Sequence, residues 1–258
     1  MVVQFECRKC GKVVSLEQYT KDRFCPDCKT FLKPKRLIIN RVKFVKKDKQ
    51  IEIKQDDINL DTLFYEFKNF SPVYVGAGIV FRSVDAWISA KKGVYENFRK
   101  RFSIEKLLDF DYLKRNFKDW LLFRNNLSWT TLQRTGYKAL EDPERLAKLI
   151  ILLQNEDLDV GLRVRMGLKG EEKVIGIGPG ILTGFLHTFF DDKYCVWNRR
   201  TKETLKILRR SPTVYIDIGC NYKAVNGKLH EMAKDLNTDL TTIDGFMWFI
   251  SKHVRFIQ

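Results

Sequence analysis

Four of the six cysteines, Cys7, Cys10, Cys25 and Cys28, lie near the N-terminus, while Cys195 and Cys220 stand alone. Cys7-Arg8-Lys9-Cys10 and Cys25-Pro26-Asp27-Cys28 are two Cys-x-x-Cys knuckles with fourteen residues between them. That spacing lets four thiolates converge tetrahedrally on Zn²⁺ with no coordination position left open, which makes the ion structural rather than catalytic. Two disulfides are the alternative, disfavoured because no secretory context is visible. A second stretch has chemistry in its spacing: Gly176, Gly178 and Gly180 recur at every second position around Pro179. Glycines so placed let the backbone turn tightly with its N–H groups bare, and Pro179 suits a first helical position. The stretch reads as a hairpin that feeds a helix and holds a phosphate, with Lys169 and Lys173 flanking it as phosphate contacts.

The hairpin has to be anchored by the helix it feeds. Ile181, Leu182, Phe185, Leu186 and Phe189 recur at one-, three- and four-residue steps, the buried face of a helix of about three turns. His187 falls opposite Phe185 and Phe189 and reads as a surface histidine. Upstream, Leu158 to Leu168 fits a helix or, by alternation, a strand, and the period alone does not decide. With a helix there, residues 140 to 210 resemble the helix-hairpin-helix DNA glycosylase superfamily. Its pattern is an apolar residue, Gly-Val-Gly, a helix of small and apolar residues, a short polar link, and an apolar pair followed by Asp. Here the corresponding residues are Gly176-Ile177-Gly178, the helix, Asp191-Asp192-Lys193-Tyr194 and Val196-Trp197-Asn198.

Both chemical positions depart from that pattern. Asn198, twenty-two residues after Gly176, stands where the family's catalytic Asp falls, and Gly180 stands where lyase-type members carry Lys. The resemblance implies a DNA backbone held by Gly176, Gly178 and Gly180 with Lys169, Lys173, Arg199 and Arg200, and a base pocket near Trp197. It also implies slow or absent excision, because a neutral Asn198 cannot offset the cation developing on the sugar. On its own residues, Asn198 reads as the N-cap of the next helix. Asp191 and Asp192 are the nearest alternative carboxylates but sit in a polar link, and Cys195 beside Val196 reads as a small buried apolar residue.

Composition narrows the classes of partner. The 258 residues carry 47 Lys/Arg against 32 Asp/Glu, a formal charge of +15, which favours a polyanion. Residues 1–50 hold 14 of the basic and 5 of the acidic side chains, so +9 of the excess sits there. An ion-rich, thermostable-type surface is the other explanation. No apolar run approaches the roughly 18 residues of a membrane span, and the N-terminus has no apolar signal stretch. An intracellular location, cytoplasmic or nucleoid-associated, is the expectation.

The expected fold is mainly α: a helix-hairpin-helix glycosylase-like domain preceded by a small β zinc ribbon. Pro34 within Lys33-Pro34-Lys35-Arg36 sets the boundary, giving a ribbon over 1–34, a short β link over 35–56 and a helical domain over 57–258. In the link, Leu37-Ile38-Ile39 and Val42-Lys43-Phe44-Val45 fit a hairpin with Ile51-Glu52-Ile53-Lys54. Helices are expected from Leu60, Ser83, Ser103, Asp142, Asn198, Tyr222 and Thr241, most with a capping residue at the start.

Three functions are open: a DNA-binding protein that recognises a damaged or modified base without excising it, an active glycosylase with a displaced carboxylate, or a zinc-ribbon interaction protein whose hairpin is a packing turn. A protein partner through the ribbon is compatible with each. A ribbon of about thirty residues buries too little apolar surface to fold without a staple. Purified protein should therefore carry one tightly held Zn²⁺, measured by metal analysis. A content near zero, or the four cysteines found disulfide-linked, removes the ribbon.

Overall fold

The helical period that begins at Leu60 runs on to His253 in the computed structural model, which describes residues 4–6, 13–15, 27, 51–54, 58–76, 78–122, 126–127 and 135–257. The chain divides into two units, Met1–Asp48 and Lys49–Gln258, so the division falls inside the link expected at 35–56. In the first unit, strand β1 (Gln4–Glu6) pairs antiparallel with β2 (Val13–Ser15), Glu6 opposite Val13. In sequence, Cys7 and Cys10 fall between Glu6 and Val13. They lie outside the described residues, as do Cys25, Cys28 and the β-rich runs at 37–39 and 42–45.

The second unit is mainly helical. Strand β3 (Ile51–Lys54) is formed as expected, and its described partner lies at the far end of the chain: Ile51 pairs in parallel with Val254 of the C-terminal strand Val254–Ile257. After it come α1 (Leu60–Lys68), a hairpin of β4 (Val73–Gly76) and β5 (Ile79–Phe81), α2 (Val84–Arg101), the short α3 (Ile104–Leu107) and α4 (Phe110–Trp120). A 3₁₀ turn (Gly136–Glu141) leads into α5 (Pro143–Gln154), α6 (Val160–Lys169), α7 (Pro179–Phe189), α8 (Arg199–Ile207), α9 (Ile218–Asp235) and α10 (Leu240–His253), which runs directly into β6 (Val254–Ile257).

Side-chain caps explain where most of these helices start. Asn59, Ser83, Asp109, Asp142, Asp159, Asn198, Asp217 and Asp239 each accept a hydrogen bond from a first-turn N–H. Among the described helices of eight or more residues, α7 alone begins without one, its N-cap being Gly178. The alternating stretch before the hairpin resolves as a helix. Asp159 caps α6 at both Gly161 and Leu162, and Arg163 points inward, its guanidinium donating to the Leu153 carbonyl (2.8 Å) and the Tyr194 hydroxyl.

Helix α7 is the centre of the core: every residue from Leu182 to Phe189 is buried. Phe185 meets Phe98 of α2 and Trp120 of α4 at ring distances of 5.9 and 5.1 Å, and Phe189 meets Phe98 at 5.0 Å. His187 corrects the surface reading. No face of α7 beyond its first turn is left to solvent, so the ring is fully buried, edge-on to Tyr95, with Nδ1 donating to the Tyr194 carbonyl at 2.7 Å. Burial lowers its pKa and keeps the ring neutral.

The tightest helix crossing joins α6 to α9. A Cβ built on Gly219 would lie 2.1 Å from the carbonyl oxygen of Gly161, and one on Gly161 would lie 3.1 Å from the oxygen of Gly219. At Gly161 the nearest atom is the flexible Lys223 Cδ (2.9 Å), but at Gly219 the two nearest atoms are backbone of Gly161, which cannot swing aside. Gly219→Ala should therefore cost about 3 kcal/mol in a urea unfolding titration. Gly227→Ala in the same helix, where a Cβ meets nothing within 4 Å, should gain roughly 0.5–1 kcal/mol.

Candidate nucleic-acid interface

The turn between α6 and α7 is shaped by what each residue can place inside. Val174 and Ile177 are buried and fix its base, with the Ile177 N–H on the Val174 carbonyl at 3.2 Å, while Ile175 stands 68% exposed at the tip. Gly176 has φ +89°, and a Cβ there would lie 2.3 Å from the Thr135 carbonyl oxygen, so only glycine fits. Gly178 is different: its backbone is extended, and a Cβ would face open space. The N–H groups of Gly178 and Gly180 have no acceptor among the described residues.

Two helix starts meet at this point. A Cβ on Gly180, in the first turn of α7, would lie 3.1 Å from the Cβ of Asn198, the N-cap of α8. The segment carrying Asn198 is stitched down on both sides. Trp197 N–H donates to Thr183 Oγ1 (2.8 Å) on α7, while Cys195 N–H donates to Asn226 Oδ1 (2.8 Å) and the Tyr222 hydroxyl donates to the Cys195 carbonyl (3.0 Å) on α9. Asn198 Oδ1 then accepts from the Thr201 N–H at 3.0 Å and from its hydroxyl at 3.3 Å. The cap expected from the sequence is formed, and it commits the amide oxygen to the backbone.

A cleft of about 900 Å³ opens over this junction, walled by the hairpin, the start of α8, Thr135, and Ser251 and Lys252 at the end of α10. Lys173, Arg199, Arg200 and Lys252 give it four basic side chains, and Glu203 is the acidic residue among the described lining. Glu203 is occupied by Arg199, at 2.6 Å. Lys173, Arg200 and Lys252 make no ion pair among the described residues. The positive ends of α7 and α8 add to these cations, so the electrostatics of the cleft favour an anion over a cation.

Arg200 is tied to a buried charge cluster behind the cleft. Burial lowers its pKa, while Asp244 on α10 pulls it back up. Asp244 itself pairs with Lys91 of α2, a lysine with almost no exposed surface. Burial would raise the Asp244 carboxyl, but Lys91, which also hydrogen-bonds it, and Arg200 hold it below its ordinary range. Cys195 lies nearby and is inert, because burial pushes its thiol far above the usual value.

The structure therefore brings together Gly176, Gly178, Gly180, Lys173, Asn198, Arg199 and Arg200, and leaves two expected site residues elsewhere. Trp197 is buried on the other side of its segment, with Lys202 Nζ 4.6 Å from its ring, and it lines a separate hollow, as does Lys169. Asp191 pairs with Arg99, and neither it nor Asp192 lines the cleft. Sequence reasoning does not reach Glu203, Ser251 and Lys252. The helical period around α8 and α10 places Glu203 and Lys252 outward, but nothing local to either residue ties it to the hairpin. Comparison with known protein families, curated proteins and solved structures finds no match to this chain.

The two hairpin glycines should separate in a stability measurement. Gly176→Ala is expected to cost roughly 2–3 kcal/mol through backbone strain and the clash with Thr135. Gly178→Val should change stability by less than about 1 kcal/mol, since its side chain enters the open cleft. Urea unfolding of the two variants checks this.

Proposed function

We propose that this protein is a DNA-binding protein of helix-hairpin-helix glycosylase-like fold, with an N-terminal zinc ribbon, that recognises a duplex carrying a damaged or modified base without excising it. The observation that carries the reading is the close approach of Gly180 to Asn198, where an added Cβ would lie 3.1 Å from the asparagine; it sets two helix starts, with Lys173, Arg200 and Lys252, around one cleft. A phosphate on the Gly178 and Gly180 N–H groups would be within reach of Lys173 and Arg200. Asn198, beside it, has the shape of a carboxylate side chain without its charge. Loss of one preorganised electrostatic group commonly costs about 3–4 kcal/mol of transition-state stabilisation, several hundredfold in rate.

One observation favours a second reading, an active base-excising enzyme. Glu203 is on the cleft wall, so a displaced carboxylate would be Glu203 rather than Asp191 or Asp192. In that case wild type releases a base and Glu203→Gln does not.

Duplex binding and base release measured together test the proposal. With three phosphates neutralised by Lys173, Arg200 and Lys252, affinity should fall about 40-fold between 50 and 200 mM salt. Gly178→Val should weaken binding strongly while the protein stays folded. Wild type should release no base from damaged or modified duplexes, and Asn198→Asp, which keeps the helix cap, should bring measurable excision. Unchanged binding by folded Gly178→Val makes the hairpin structural only, and ready release by wild type overturns the non-excising reading.

A further inference from the structure

Between α8 and α9 the chain holds three consecutive apolar side chains out in solvent. Val214 is 86% exposed, Tyr215 48% and Ile216 fully exposed at 103%. The segment is clamped in this form by one residue of α9. Asn221 Oδ1 accepts from the Tyr215 N–H at 2.7 Å, and its amide nitrogen donates to the carbonyls of Tyr215 and of Asp217, the latter at 3.1 Å. A fixed apolar ridge in water loses its hydration cost only when something covers it.

Hollows lie on both sides of Ile216. One, of about 390 Å³, has Trp197, Leu205, Pro212, Val214 and Val225 in its walls; the other, of about 520 Å³, has Leu162 and Met166. The charged residues lining the two are Arg165, Lys169 and Lys202 against Asp217. Asp217 lies 3.7 Å from Arg165, which leaves Lys169 and Lys202 with no carboxylate partner among the described residues. The surface is thus an apolar ridge between two apolar hollows with a net positive rim.

We propose that this ridge is a docking site for an acidic, amphipathic peptide segment of another protein, whose apolar side chains fill the hollows beside Ile216 and whose carboxylates face Lys169 and Lys202. Charge selects the occupant. A second copy of this chain, at +15, and its own N-terminal unit, at +8 over Met1–Asp48, both carry the wrong sign. A nucleic acid has the right sign, but its backbone offers no apolar side group to fill a 390 Å³ hollow. The site is separate from the cleft at Asn198 and does not rest on what that cleft binds.

The test is a displayed library of random 16-residue peptides selected on the full-length chain, followed by titration of the enriched peptides as free probes. Enriched sequences should combine two or more large apolar residues with Asp or Glu. Their affinity should drop at least about tenfold for Ile216→Asp, the loss of a central anchor, and about threefold for Lys169→Glu or Lys202→Glu, as expected of exposed charges. All three positions lie at the surface or on the rim, and an unchanged melting temperature confirms that each variant is folded. A 20-base-pair duplex is titrated alongside, and its affinity should not respond to Ile216→Asp. The proposal is overturned by a selection without an apolar and acidic consensus, by peptides indifferent to Ile216→Asp, or by a duplex that loses affinity with that variant as the peptides do, which would make the ridge a nucleic-acid contact.

Discussion

Helix α7 is enclosed by protein from Leu182 to Phe189 and yet has to bring its first turn to the surface. Most features around it arise from those two demands. A buried helix cannot leave polar side chains unpaired at low cost, and here Thr183 and Thr188 return their hydroxyls to the carbonyls of Pro179 and Gly184, at 2.7 and 2.8 Å. Thr183 then accepts the Trp197 N–H, so the same hydroxyl that is satisfied within α7 also fixes the segment leading to Asn198. The position of Asn198 is therefore a consequence of how α7 is buried, and the hairpin in front of it is held by the same core through Val174 and Ile177.

Behind the cleft, the Lys91 and Asp244 pair places a full charge pair in a largely apolar core. Such a pair contributes little to stability compared with well-packed apolar residues, although removing one partner alone is costly. Asp244 feels the charges of both Lys91 and Arg200, and it forms its ion pair with Lys91.

Much of this architecture is legible in the sequence because it is local. Caps at Asn59, Ser83, Asp142 and Asn198, the proline at the start of α7 and the apolar faces of α4 and α5 depend on residues within one or two turns. The correction at His187 has a physical reason: the spacing of apolar residues tells which face is buried, but not whether the opposite face is buried too. The pairing of Ile51 with Val254 joins residues some two hundred positions apart, and no local signal specifies it. The candidate site divides the same way. Its glycines and Asn198 sit within one stretch and are legible there, whereas Lys252 arrives from another helix. Trp197 is adjacent to Asn198 in sequence but points to the opposite side of an extended segment, where neighbours alternate in direction.

The glycine that begins α7 would also link occupancy of the cleft, by any anion, to the integrity of the fold. Every other long helix among the described residues carries its own acceptor at the N-terminus, so its first amides are protected whether or not anything is bound. At α7 the amides of Gly178 and Gly180 have no acceptor among the described residues. An anion that supplied such an acceptor to the folded chain alone would, at a hundred times its dissociation constant, add about 2.7 kcal/mol to the folding free energy. Because α7 runs through the middle of the core, that gain would act on the element whose loss would open the whole helical unit, while in the free protein the same two amides should be among the first around α7 to exchange with solvent.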